Sequence, residues 1–271
     1  MGFSLATWNI NSVRLRIGLV ERLLKEQAPD VLCLQETKCP QGQFPSASLT
    51  SLGYGYIAEF GQKGYHGVAI VSRIPFHTQY SRDFCNKGDC RHVSVRFEGE
   101  MPFILHNLYV PAGGDEPDRL VNEKFGHKLD FLDEMDVWSK MDAAPEGYGA
   151  IAVGDLNVAP LENDVWSHRE LLRVVSHTPM EVERFNQIQK SGNWVDVMRH
   201  HIPASRKLYT WWSYRAKDWS VADRGRRLDH VWATPEIAAR CTSIEVLKPV
   251  RNWTQPSDHV PVIANFDFTA A

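Results

Sequence analysis

The sequence predicts an α/β protein made of two packed mixed β-sheets with helices on their outer faces, and three observations predict it. Short apolar runs of strand length outnumber segments with helical periodicity. Strands and helices do not alternate regularly, which argues against a doubly wound parallel sheet. No linker or low-complexity stretch interrupts residues 1–271, so the whole chain reads as one domain. A hydrophobic content of 43% is ordinary for a chain with a packed core.

The elements follow in order. "FSLATWNI" (3–10) is a strand, and Val13 to Gln27 carries Leu15, Leu19, Val20, Leu23 and Leu24 at helical spacing until Pro29-Asp30 stops it. "VLCLQE" (31–36) is a second strand. Short β runs follow at 54–60, 67–72, 91–97 and 103–110, separated by turn-rich "GQKGYHG" and "NKGD". An amphipathic helix spans roughly Asp118 to Met141, and the strand "AIAVGD" (150–155) comes after it. A shorter helix over 179–192 leads to three final strands at 227–233, 243–248 and 260–268. The letters contain no internal repeat.

Composition narrows the function. No basic segment leads an apolar core at the N-terminus, and nowhere do 18 apolar residues run together, so a soluble, cytoplasmic protein without a membrane partner is expected. Five cysteines, an odd count without zinc-like spacing, suit free thiols in a reducing compartment. The net charge of −3 does not announce a nucleic-acid binder, but charge is uneven. Between Arg206 and Arg227 seven basic residues face two acidic ones and interleave with Trp211, Trp212, Tyr214 and Trp219. Cations that neutralise phosphates beside rings that stack on bases are what a nucleic-acid groove needs.

The most informative pattern is that apolar strands repeatedly end in polar groups: Asn9 and Asn11, Glu36, Tyr109, Asp155 and Asn157, Asp229, and the Asp258-His259 pair in "QPSDHVPV". One strand-end Asp is explained by a cap or a turn; six such ends converging on one sheet edge are better explained by a site. Carboxylates and carboxamides without cysteine suit Mg²⁺ or Mn²⁺. A His with a carboxylate to orient it suits stabilisation of a phosphoryl oxygen. No Gly-x-Ser-x-Gly elbow or phosphate-binding P-loop is present, so phosphate-ester hydrolysis fits better than acyl transfer or nucleoside-triphosphate hydrolysis.

These stretches closely resemble the exonuclease III family of AP endonucleases, within the endonuclease/exonuclease/phosphatase superfamily. The ordered set is "WNIN" (8–11), "PDVLCLQETK" (29–38), "GQKGYHGVAI" (61–70), "NLYVP" (107–111), "GDLNVAP" (154–160), "RLDHVWA" (227–233) and "PSDHVPV" (256–262). The resemblance implies a four-layer α/β/β/α sandwich that cleaves double-stranded DNA 5′ to abasic sites with Mg²⁺ and acts as a monomer, often with 3′ to 5′ exonuclease or 3′-repair activity. Carried over by matched position, Glu36, Asn9 and Asp258 hold the metal. Asp155, helped by Asn157, orients or deprotonates water. Tyr109 contacts the phosphate, and His259 with Asp229 stabilises the transition state. Asn11, Gly64 and Tyr65 would touch the DNA backbone, and Trp211 and Leu228 would line a pocket for a flipped-out baseless sugar. Two positions depart from the family. Ala112 stands where Gln or Asn usually follows "YVP", and Arg226 stands where an apolar or aromatic wall is common. They keep open an enzyme that mainly trims 3′ ends; a non-catalytic DNA-binding member of the fold is the remote alternative.

Overall fold

The computed structural model describes residues 2–269. The chain runs β1 (Gly2–Asn9), α1 (Ile17–Glu26), β2 (Val31–Gln35), α2 (Ser46–Ser51), β3 (Tyr56–Phe60), β4 (Val68–Ser72), β5 (His77–Tyr80), β6 (His92–Phe97) and β7 (Phe103–Tyr109). It continues through α3 (Glu123–Met141), β8 (Gly149–Asp155), α4 (His168–Leu171), α5 (Pro179–Ser191), β9 (Val195–Asp196), α6 (Val197–His201) and β10 (Trp211–Trp212). The last elements are α7 (Trp219–Ala222), β11 (Gly225–Arg226), β12 (Asp229–Ala233), α8 (Pro235–Ala238), β13 (Cys241–Val246) and β14 (Val262–Asp267).

Two six-stranded sheets form, in the orders β13-β14-β1-β2-β4-β3 and β5-β6-β7-β8-β12-β9, and β10-β11 is a separate two-stranded ribbon. Each large sheet has one parallel pair near its middle, β1 with β2 and β7 with β8; its other pairs are antiparallel. Each also has an antiparallel hairpin outside that pair, so the two sheets share a plan that the letters do not reveal.

Period-two patterning explains the four layers. In β1, Phe3 and Leu5 join the core between the sheets, while Ala6 and Trp8 face a second core with Val20, Leu23 and Leu24 of α1. In β8, Ile151 and Val153 join the same central core, while Ala150 and Ala152 pack with Phe131, Leu132 and Met135 of α3 and Phe185 and Ile188 of α5. Both faces of both sheets are therefore covered, giving the α/β/β/α sandwich expected.

Helix boundaries differ from the apolar spacing for local reasons. α1 starts at Ile17 because residues 11–16 turn instead: Asn11 and Ser12 have φ of 48° and 87°, and the Ser12 and Val13 amides bond to Glu36 and Thr37 carbonyls. α3 starts at Glu123, where the Asn122 side chain accepts from the Lys124 amide; Asp118 to Val121 form a turn ahead of that cap. The 179–192 helix appears as α5, opened by a Thr178–Glu181 capping box with Pro179 in its first turn. The short strands β5, β9, β10 and β11 are too brief to show alternation in the letters. All five cysteines are free, and no described helix is long and apolar enough to cross a membrane.

Candidate active site

Strand register brings the polar termini together. Tyr109 pairs with Asp155 across β7 and β8, Asp155 pairs with Asp229 across β8 and β12, and Asn9 pairs with Gln35, directly before Glu36. Gly154 makes the second sheet's close approach possible: its φ is +135°, and a Cβ there would sit 2.0 Å from the Leu108 carbonyl oxygen. His259 lies just before β14 and bridges to Trp211 of β10. A cavity of about 610 Å³ opens at this edge, lined by Glu36, Tyr109, Asp155, Asn157, Asp258 and His259, with Trp211, Arg226 and Leu228 along its wall.

The groups form one hydrogen-bonded network. His259 Nδ1 is 2.8 Å from Asp229 Oδ2, and its Nε2 is 3.6 Å from Asp155 Oδ2. Asn9 donates through Nδ2 to Glu36 Oε1 at 2.9 Å and to Asp155 Oδ2 at 2.8 Å, holding carboxylates from both sheets in register. Asn157 donates its backbone N–H to Asp155 Oδ1 and its Nδ2 to the Val110 carbonyl. Asp258 accepts from Asn11 Nδ2 and from Trp211 Nε1.

Three supports hold the network in place. Thr210 Oγ1 accepts from the Leu228 and Asp229 amides, Ser257 Oγ donates to the Asn9 carbonyl, and Trp8 Nε1 donates to the His259 carbonyl. Behind Asp229, fully buried Arg227 is clamped between Asp164 and Asp196.

Electrostatics divides the labour. Burial opposes charge on His259, but Asp229 and then Asp155 outweigh it and raise the imidazole to about 10. Burial, assisted by Asp229 and Glu36, raises Asp155 to about 7 against the opposing pull of His259 and Asn9. Glu36 goes the other way: burial would raise it, yet Lys38 and the Asn9 amide hold it below the usual carboxylate range. Burial, then Glu36 and Asp155, pushes the Tyr109 phenol well up, so Tyr109 is a proton donor at neutral pH.

Donor atoms of Asp155, Asp229 and His259 lie within 4.8 Å of one another. Both His259 nitrogens face carboxylates, so in this arrangement the imidazole is held between Asp229 and Asp155. Glu36 is different: it lines the cavity, its Oε2 meets the Lys38 ammonium at 2.9 Å, and its carboxylate also shares a hydrogen bond with the Tyr109 hydroxyl. With Asp258 also lining the cavity, the donors at this edge are oxygens without sulfur, which suits a hard divalent cation. Asn9 Oδ1 accepts from the Asn11 amide while its Nδ2 donates to Glu36 and Asp155, so Asn9 braces the two carboxylates.

The remaining expected contacts separate. Asn11 is inside the network, between Asp258 and Lys38. Gly64 and Tyr65 are exposed on the 61–67 loop and do not line the cavity. Three residues carry structure here that strand-end reasoning misses. Lys38 contacts Glu36, and Arg91 lies 4.8 Å over the Tyr109 ring while donating to the Tyr109 carbonyl. Fully buried Lys128, paired with Glu181, donates to the Asn157 and Ala112 carbonyls. Only Lys38 has a local signal, its place two residues after Glu36 in "QETK".

Comparison with known proteins gives a consistent picture. Residues 6–259 match the model of the Endonuclease/Exonuclease/phosphatase family. Exodeoxyribonuclease III of Haemophilus influenzae is 27% identical over 96% of this chain and 98% of its own length. An AP endonuclease from Archaeoglobus fulgidus is 33% identical and superposes with a TM-score of 0.88 over 98% of this chain and 99% of its own. A 3′ phosphatase from Neisseria bound to product DNA hairpin is 28% identical, with a TM-score of 0.90 over 98% and 100%.

Proposed function

The chain belongs to the endonuclease/exonuclease/phosphatase family, and from that premise we propose that it hydrolyses DNA phosphodiesters 5′ to abasic sites with Mg²⁺ and also processes 3′ ends. It is a DNA repair nuclease of the exodeoxyribonuclease III type. The observation that carries the reading is His259 held between Asp229 and Asp155 at a cavity that also contains Glu36.

In this reading Glu36, with Asp258, would hold the divalent cation, Mg²⁺ or Mn²⁺ in its place, which would supply neutralisation of phosphoryl charge. Asp155, tuned to about 7, accepts a proton from the attacking water. The His259 imidazolium, kept charged by Asp229, donates to a phosphoryl oxygen as negative charge builds there. Tyr109 donates to the phosphate, while Asn157 fixes Asp155 and Asn9 fixes both carboxylates. In the same reading Asn11, Gly64 and Tyr65 meet the DNA backbone outside the cavity, and Trp211 and Leu228, which line it, border the sugar pocket. As part of the same proposal, the chain acts as a single-domain monomer over 1–271 on DNA in the cytoplasm. Ala112 and Arg226 favour a second reading, in which 3′-end processing dominates over abasic incision.

The test uses purified protein with Mg²⁺ on a duplex carrying one tetrahydrofuran abasic analogue and on a duplex with a recessed 3′ end, beside Glu36→Ala. Single incision at the analogue, abolished in the variant, is expected. Laddering from the 3′ end alone would replace abasic incision with end trimming, and binding without turnover would overturn the catalytic reading.

A further inference from the structure

Arg226 is the charged residue of the cavity wall whose environment is hardest to explain by the fold alone. It pairs with Trp211 across the β10-β11 ribbon, and Trp211 in turn bridges to His259, so Arg226 stands two strands from His259. Its guanidinium lies 5.3 Å over the Trp211 ring and lines the same cavity as Asp155, Leu228 and His259.

The hydrogen bonds Arg226 makes are to neutral acceptors, through Nη1 to the Val175 carbonyl at 2.9 Å and to Ser176 Oγ at 2.8 Å. Its Nε is buried without a partner, and among the described residues no carboxylate comes within the 4.0 Å of an ion pair. Neighbouring Arg227, by contrast, is neutralised by Asp164 and Asp196. Burial pulls Arg226 below the usual guanidinium range, with only the more distant Glu181 opposing, although Glu181 is already paired with Lys128. A mostly buried cation with spare donors and no counter-ion is unfavourable unless an anion joins it.

Substrates differ at this wall. A diester at an abasic site must seat a neutral sugar against Trp211, Leu228 and Arg226. A chain ending in a 3′-phosphate has no sugar there; it has a further terminal oxygen, and it carries a charge of about −1.5 to −2 at neutral pH. We infer that Arg226 is a specificity-determining residue that receives this terminal oxygen and turns the cavity toward 3′-phosphomonoesters and away from abasic diesters. The inference rests on reading the cavity as the nuclease site. Ala112, which also lines the cavity, is consistent with it, since its side chain offers no donor to an internal phosphate. In the reaction the water oxygen bonds to phosphorus and its proton passes to Asp155. The bond from phosphorus to the 3′ oxygen breaks, the electron pair leaves on that oxygen, and protonation gives a 3′-hydroxyl and inorganic phosphate.

The experiment compares wild type, Arg226→Leu and Arg226→Gln on a nicked duplex with a 3′-phosphate and on a duplex with one tetrahydrofuran site, both with Mg²⁺. Binding of 3′-phosphate and 3′-hydroxyl duplex ends is measured by fluorescence anisotropy in EDTA. Arg226→Leu is expected to lose about 10-fold or more in kcat/KM on the 3′-phosphate, the scale of one charge-assisted hydrogen bond, and so to lower the ratio of 3′-phosphate removal to tetrahydrofuran incision by a similar factor. The wild-type preference for the phosphate-bearing end in EDTA should vanish in the same variant. Arg226→Gln keeps a polar group near Val175 and Ser176 without the charge, so it should show the same loss if Arg226→Leu does not fold. Equal losses on both substrates, or an unchanged ratio, would overturn the role of Arg226. Wild-type inactivity on both would instead sink the nuclease reading, and this inference with it.

Discussion

At the scale of the residue, the site depends on opposite charges kept apart by one another. Burial and then Asp229 raise Asp155 to about 7 against the pull of His259, while Asp229 and then Asp155 raise His259 to about 10 against burial, so the two groups are tied through one charge cluster. Removing one should therefore disable the pair. Asp155→Asn and His259→Ala are each expected to cost on the order of 10²-fold or more in kcat, and the double variant little more than the worse single, because groups that act as a unit are not additive. Single-turnover kinetics on a tetrahydrofuran duplex would check this; fully multiplicative losses would mean the two act independently. Glu36, Asp155, Asp229 and His259 are legible in the sequence because each follows or interrupts an apolar run, so the strand ends advertise them. Lys128 is not legible. A Lys inside a helix ordinarily points to solvent, and only the packing of α3 on α5 shows it buried against Glu181. Asn9 was legible as a polar strand end but not as a donor, because the Asn11 turn that sets its amide depends on positive φ at residues 11 and 12.

At the scale of the element, β6 and β7 carry a buried relay apart from the site. The Arg82 amide donates to His92 Nδ1, His92 Nε2 meets His106 Nδ1 at 3.0 Å, and His106 Nε2 meets the Ala143 carbonyl at 2.9 Å. One neutral tautomer of each ring satisfies the whole chain, and a proton on His92 would remove the acceptor that the Arg82 amide needs. Burial accordingly lowers both imidazoles, His106 to about 4 and His92 well below its usual range, where the neighbouring His106 adds to the effect. With an unfolded value of about 6.5, the unfolded chain binds more protons below that pH, so this contribution is full above about 6.5 and is lost as pH falls toward 4. The thermal midpoint should fall between pH 7 and pH 5, and His106→Gln should flatten that fall. An unaltered slope in His106→Gln would remove the pair as its cause. Nothing in "RHVSVRF" or "FILHNLYV" discloses this relay, because the pairing needs both the β6–β7 register and the chain after α3.

At the scale of the whole molecule, each sheet draws strands from distant parts of the chain: β1 and β2 join β13 and β14, and β5 to β7 join β8, β12 and β9. Neither sheet can form from a contiguous half. Unfolding in urea should therefore be a single transition, with tryptophan fluorescence and far-ultraviolet circular dichroism coincident; separate midpoints would mean the sheets come apart independently. The two-sheet class is legible because strand-length runs dominate, whereas the shared plan of the sheets is not, since it lies in strand order rather than in residue identity. That interleaving bears on synthesis. Asn9 and Glu36 are made early, whereas His259 and then β14, the neighbour of β1, are made about 220 residues or more after Glu36. Until then β1 has no neighbour on that side, and the Asp229–Asp155 pair lacks the imidazole that sits between the two carboxylates.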